Sequence, residues 1–127
     1  MPVNYREPTV LPPIAGARLG VAEAAIKKPG KRDLLVIALD EGSRVGAVFT
    51  QNAFAAPPVQ LCRERLAATA PLRALLINSG NANACTGAQG MSDGKEMDTI
   101  TQLATSIGAP FLVCSTGRIG RKLPMGK

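Results

Sequence analysis

Two short segments hold the residues with chemistry to offer. The first is Ser115-Thr116-Gly117-Arg118-Ile119-Gly120, directly after an apolar run. A Thr hydroxyl followed by a Gly amide at a strand end can aim two donors at one oxygen. That is the requirement for stabilising a tetrahedral oxyanion in acyl transfer. Ser, Thr and Gly also dominate turns, so the triplet alone favours an ordinary strand-to-loop turn. The second segment is Asn78-Ser79-Gly80-Asn81-Ala82-Asn83-Ala84-Cys85-Thr86-Gly87. Small residues permit close backbone approach, and Asn78, Asn81 and Asn83 offer amide donors and acceptors. A tight turn whose Asn side chains satisfy their own backbone fits that composition equally well. The first segment is not a Walker A motif, because Gly117, Gly120 and Lys122 do not match GxxxxGK[ST].

The rest of the composition narrows what these segments can do. The chain has 127 residues and no histidine. A Ser-His-Asp triad, a Cys-His dyad, a His-ligated metal and a histidine general base are therefore excluded within it. Cys62, Cys85 and Cys114 are odd in number and widely spaced, with no CxxC pair. Buried free thiols are expected, rather than metal ligands or a disulfide framework. No metal or other cofactor is expected.

Fifteen Lys and Arg against nine Asp and Glu give a net charge of +6. The excess sits in two clusters: Lys27, Lys28, Lys31 and Arg32, and then Arg118, Arg121, Lys122 and Lys127. The plain reading is a solvated loop and a solvated tail. A site for small anions remains open. Nucleic acid is not expected as a partner, since Tyr5, Phe49, Phe54 and Phe111 are scattered and offer no stacking platform. No apolar run approaches a membrane span and no signal peptide is visible, so no membrane association and a cytoplasmic location are expected.

The elements that must position the two segments can be read from the pattern. Residues 1–20, with Pro2, Pro8, Pro12 and Pro13, read as an extended lead-in, and residues 21–127 as the α/β domain. Residues 34–39 (LLVIAL) and 45–50 (VGAVFT) read as two strands of a hairpin. Residues 57–68 predict a short strand running into a helix. Residues 73–78 (RALLIN) predict a third strand ending at the Asn-rich loop. Met97, Ile100, Leu103, Ala104 and Ile107 predict a helix over 94–107, with an Asp93–Glu96 capping box and Gly108 just past its end. Residues 111–114 predict a fourth strand ending at STGRIG. Strands alternating with helices give an α/β class.

The strings LLINSGNANACTGAQG and CSTGRIGRKLPM, with GVAEAAIKKPGKRDLLVIALDEGSRVGAVFTQNAFAAPPVQLCRERL before them, closely resemble the ornithine acetyltransferase (glutamate N-acetyltransferase) family. The likeness runs from about Pro12 to the last residue. The resemblance implies a layered sheet-and-helix sandwich of the N-terminal-nucleophile-like type, incomplete in this chain. It implies a longer precursor that cuts itself before a threonine, with this chain as the N-terminal part of the α chain, ending before the cleavage site. The freed threonine heads the β chain and is the nucleophile. Acetyl passes from N-acetylornithine to that threonine and then to glutamate, and some members also accept acetyl-CoA as a substrate. The family's oxyanion hole maps to Thr116 and Gly117. Asn78, Ser79, Gly80, Asn81 and Asn83 are assigned to shaping the active site. An α2β2 assembly with the β chain is the implied partnership.

Arg118 stands where the family pattern calls for an apolar residue such as Val, and surface exposure is its plain reading. The contrasting expectation for these 127 residues is a catalytically silent piece, or a module binding a small anion or a partner chain. A sheet lacking strands supplied from elsewhere would then leave apolar surface exposed.

Overall fold

The computed structural model describes residue 6 and residues 9–68 and 71–126. Pro2, Tyr5 and Pro8 of the expected lead-in, and Lys127 of the second basic cluster, lie outside the described residues. Six elements follow in chain order: β1 (Ala17–Ala22), β2 (Leu34–Leu39), α1 (Pro57–Ala67), β3 (Ala74–Asn81), α2 (Gly87–Thr105) and β4 (Phe111–Arg118). The strands form one sheet in the order β1-β2-β3-β4. β1/β2 and β2/β3 are antiparallel and β3/β4 is parallel. A parallel neighbour needs a crossover, and α2 provides it. The α/β reading therefore holds.

Several local expectations are corrected. The apolar run at residues 45–50 is not a strand. β2 already pairs with β1 on one side and β3 on the other, so neither of its edges is free for a hairpin partner. β1 also begins at Ala17, so the boundary expected at residue 20 falls in mid-strand. The 45–50 segment is held by α1 instead. Arg63 donates to the Thr50 carbonyl and lies over the Phe49 ring, 5.7 Å from its centroid. Val45 and Phe49 pack against the Cys62–Leu72–Leu112 cluster, whereas Val48 is 99% exposed.

Residues 57–67 are helical throughout, with no leading strand. Pro57 and Pro58 occupy the first turn, where a missing N–H costs nothing and a fixed φ helps.

α2 starts seven residues before the expected helix and ends at Thr105, with Ser106 left-handed at φ 56° as its C-cap, so Gly108 is not the stop. Asp93 is inside the helix and buried, accepting from Gln89 Nε2 at 2.7 Å, and so cannot cap it. The face that α2 buries is Gly90, Asp93, Gly94 and Asp98. A Cβ on Gly94 would meet Leu61 Cδ1 at 2.6 Å, so the glycine is what lets α2 lie on α1. Met97 and Ile107 of the expected apolar stripe pack against the Ala74–Leu76–Phe111 cluster, but Ile100 and Leu103 are exposed. With Leu19 and Val21 of β1 also exposed, apolar surface is left open, as a sheet lacking partners was expected to leave it.

The two helices are tied to the start of β4 by charge. Asp98 accepts from Arg65 Nη2 at 2.6 Å, Gln102 Nε2 at 2.9 Å and the Phe111 amide at 2.9 Å, and Arg65 donates to the Phe111 carbonyl. Both carboxylate oxygens are satisfied, which is the condition for burying such a pair without net cost.

Candidate active site

The two chemistry-bearing segments meet at one end of the sheet. β3 and β4 do not stop where the sequence pattern predicts. β3 continues through Ser79 and Gly80 to Asn81, and β4 through Ser115, Thr116 and Gly117 to Arg118. Asn78–Asn81 are thus strand rather than loop. The parallel register places Asn78 beside Ser115, Ser79 beside Thr116 and Gly80 beside Gly117. It then shifts, so that Asn81 faces both Thr116 and Arg118. Such a bulge interrupts the ladder and re-aims backbone and side chains, which is why bulges recur beside active sites.

Glycine is required at this junction. Gly80 has φ 106° and Gly117 φ 136°. A Cβ on Gly117 would lie 2.3 Å from the Gly80 carbonyl carbon and 2.6 Å from the Asn81 nitrogen. On Gly80 it would meet Lys27 Cβ at 3.0 Å.

Thr116 is exposed, and among the described residues nothing hydrogen-bonds its hydroxyl. An ordinary Ser/Thr turn would spend that hydroxyl on nearby backbone. Here the hydroxyl is open to solvent. Arg118 is exposed as well, and its carbonyl accepts from the Ala82 amide at 2.9 Å.

Asn78, Asn81 and Asn83 form a buried amide relay behind the junction. Asn78 Nδ2 donates to the Asn81 carbonyl across the bulge at 2.8 Å. Asn81 Oδ1 accepts from the Asn83 amide at 2.7 Å, and its Nδ2 donates to the carbonyls of Arg121 and Lys122 at 3.1 and 2.9 Å. Asn83, left-handed at φ 44°, donates to the Gly90 carbonyl and accepts from Thr86 Oγ1. The chain after β4 is thereby fixed, and Leu123 of the LPM string is buried. Ser79 is exposed and takes no part in the relay. Asn78 Oδ1 and Ser115 Oγ are buried without a hydrogen-bond partner, and the register puts both on the same sheet face.

The basic cluster, which the plain reading makes a solvated loop, belongs to this end of the sheet. Lys27, Lys28, Lys31 and Arg32 are exposed, and with Asp33, Ser79 and Gly80 they line a cavity of about 330 Å³. Asp33 anchors their loop. Its carboxylate accepts from the amides of Ala24 and Ile26, both at 2.7 Å, and its carbonyl accepts from the Ser79 amide at 2.8 Å.

Of the three thiols, only Cys62 is fully buried; Cys114 is half-buried and Cys85 is exposed, against the expectation of three buried thiols. Cys62 donates to the Val113 carbonyl at 3.3 Å. The neighbouring Cys62 thiol draws Cys114 down to about 7 against the opposing effect of burial, and the same pairing, reinforced by burial, pushes Cys62 up. No group of residues able to hold a metal ion occurs among the described residues, and none of their helices is long and apolar enough to cross a membrane.

The chain is similar to known proteins in both sequence and fold. The ArgJ family model matches residues 18–127. The arginine biosynthesis bifunctional protein ArgJ of Colwellia psychrerythraea is 46% identical over all of this chain and 33% of its own length. The protein of the same name from Methylococcus capsulatus is 50% identical over 91% of this chain and 28% of its own. The chain thus spans about a third of the length of these curated relatives.

Among solved structures, the crystal structure of ArgJ from Bacillus halodurans superposes with a TM-score of 0.78 at 32% identity. It matches 88% of this chain and 59% of that one. Ornithine acetyltransferase from Mycobacterium tuberculosis, in complex with ornithine, gives 0.75 at 36%, over 88% of this chain and 61% of that one. With the family model covering everything from Arg18 onward, the chain belongs to the ArgJ family.

Proposed function

We propose that this chain supplies the oxyanion-stabilising part of an acetyltransferase that moves acetyl from N-acetylornithine to glutamate. The single observation that carries the reading is the β3–β4 junction, where an unpartnered Thr116 hydroxyl and a Gly at φ 136° stand together at the open end of the sheet. Two adjacent donors of this kind suit a carbonyl oxygen that becomes negative in the transition state.

The nucleophile is a threonine at the head of a β chain freed by self-cleavage. Its hydroxyl oxygen attacks the acetyl carbonyl carbon while its own α-amine takes the proton, so no histidine is needed. Charge collects on the carbonyl oxygen, facing Thr116 and Gly117. The intermediate collapses, the ornithine amine leaves carrying the proton, and an acetyl-threonine ester remains. The glutamate amine then attacks the ester through the same oxyanion geometry, and N-acetylglutamate departs. No cofactor enters these steps. Acetyl-CoA can load the same threonine by the same chemistry. The Asn78–Asn81–Asn83 relay holds the junction in shape. The open apolar face of β1 and α2 supports assembly with the β chain, in an α2β2 complex.

The test is acetyl exchange between N-acetylornithine and glutamate, measured for the 127-residue chain and for its complete reading frame. Exchange by the complete product alone is the expected outcome. Exchange by neither rejects the reading.

A further inference from the structure

We infer that the cavity formed by Lys27, Lys28, Lys31 and Arg32 is the acceptor-selecting subsite of this enzyme, a cationic field that admits the acidic amino acid. The inference rests on the acetyltransferase reading above and assigns it a specificity determinant.

Three observations lead to it. First, the four cations outnumber the acids beside them, Asp33, which lines the same cavity, and Glu23. The two acids of their loop are already committed to backbone: Asp33 to the amides of Ala24 and Ile26, and Glu23 to the amide of Gly30 at 2.6 Å. Among the described residues, the only ion pairs are Arg18–Asp40 and Arg65–Asp98, so none of the four cations has a carboxylate partner. Four like charges around one cavity repel one another, and an anion entering it relieves that repulsion.

Second, the cavity has the size of a small-molecule site, about 330 Å³, where such sites span roughly 300–1,000 Å³.

Third, it is placed for the reaction. Its inner wall is Ser79 and Gly80, the register partners of Thr116 and Gly117. Neighbouring strands lie about 4.8 Å apart, and an N-acetyl amino acid carries its carboxylates only a few bonds from its acetyl carbonyl. With the acetyl oxygen at Thr116 and Gly117, the carboxylates reach the cationic wall.

The charges of the four reactants make this field discriminating. Glutamate carries one net negative charge and N-acetylglutamate two. N-acetylornithine is net neutral and ornithine net positive. A cationic wall therefore draws the acceptor in after acetyl-threonine has formed. It also repels ornithine, which aids its departure.

In a ping-pong reaction, kcat/KM for donor and for acceptor report the two half-reactions separately, so they separate this role from a general loss of function. The double variant Lys28→Glu/Lys31→Glu, in the complete reading frame, is compared with Arg44→Glu, which removes a remote exposed cation. Expected is a fall of roughly tenfold in kcat/KM for glutamate, with N-acetylornithine changed by less than about twofold. Raising ionic strength should weaken the wild type toward the variant for glutamate only, as screening requires. Arg44→Glu should leave both constants in place. Equal falls for both substrates, no fall for glutamate, or the same fall in Arg44→Glu would overturn the subsite while leaving the acetyltransferase reading intact. Absence of exchange in the wild type would remove that reading, and the subsite with it.

Discussion

Gly117 lies so close to Gly80 that a Cβ on Gly117 would sit 2.3 Å from the Gly80 carbonyl carbon. The two residues are register partners, both at positive φ, at the point where the β3–β4 ladder shifts. A methyl group at Gly117 must push β4 off β3 at the atoms of the proposed oxyanion donors. Gly117→Ala should cost about 3 kcal/mol, from the strained backbone and the clash together. It should also abolish acetyl transfer. Urea unfolding and an exchange assay read the two effects, and a variant with normal stability and turnover would contradict the packing.

Thr116 should show the opposite separation. Its hydroxyl has no partner among the described residues, so removing it leaves the fold untouched. Thr116→Ala should lower kcat roughly 10²–10³-fold, the usual cost of one oxyanion donor, with a much smaller effect on KM and no change in stability. Thr116→Ser keeps the donor and should recover most of the rate. A Thr116→Ala enzyme with near-normal turnover would remove the residue from the role.

How far the site was legible before the structure differs from residue to residue. The Ser115-Thr116-Gly117 triplet alone favours a turn, and only the family resemblance marks Thr116 and Gly117 as a donor pair; the Asn-rich string fits a tight turn equally well. Their adjacency is hidden in the sequence, because residues of loop-forming type predict β3 ending at Asn78 and β4 at Cys114, whereas both strands run on together. Small residues are what permit that close pairing, so the same composition that signals a loop encodes the strand extension. α2 misled for a related reason. Gly87, Gly90 and Gly94 lower helix propensity, yet Gly94 is the surface against which Leu61 packs. Residues 45–50 have strand composition but no edge of β2 to pair with. The basic loop reads as solvated and its four cations are exposed, but only topology shows that the β1–β2 connection reaches the end of β3.

Asn81 fixes the chain that follows β4. Its amide holds the Arg121 and Lys122 carbonyls, and its Oδ1 holds the Asn83 amide. Asn81→Ala strands the buried Asn83 amide and releases the two carbonyls, and should cost about 1–3 kcal/mol. Faster hydrogen exchange is expected at Asn83 and Gly120, whose amides bond within this segment. Unchanged exchange at both would show that backbone pairing alone suffices.

Asp98 binds both helices to the first residue of β4. Asp98→Ala leaves Arg65 buried without its carboxylate and the Phe111 amide without an acceptor. Breaking one side of such a pair typically costs about 3–5 kcal/mol. Asp98→Ala with Arg65→Met removes the stranded charge and should regain part of the loss. A double variant no more stable than the single one would place the cost in the amide contacts instead.

The Cys62–Cys114 pair makes stability depend on pH in two opposite ways. Cys114 is held down to about 7 in the folded chain against an unperturbed 9.0. Between these values the unfolded chain binds a proton that the folded chain has released, so stability rises with pH. Cys62 is shifted upward from 9.0. Above pH 9 the unfolded chain loses the Cys62 proton while the folded chain keeps it, and stability falls again. The pair therefore contributes most near pH 9. Urea midpoints for the wild type minus Cys114→Ala, taken across this range, should trace the rising arm from about 7 to 9. The falling arm should persist in part in the variant, because burial still opposes Cys62 ionisation. A flat difference below pH 9 would show that Cys114 does not ionise early.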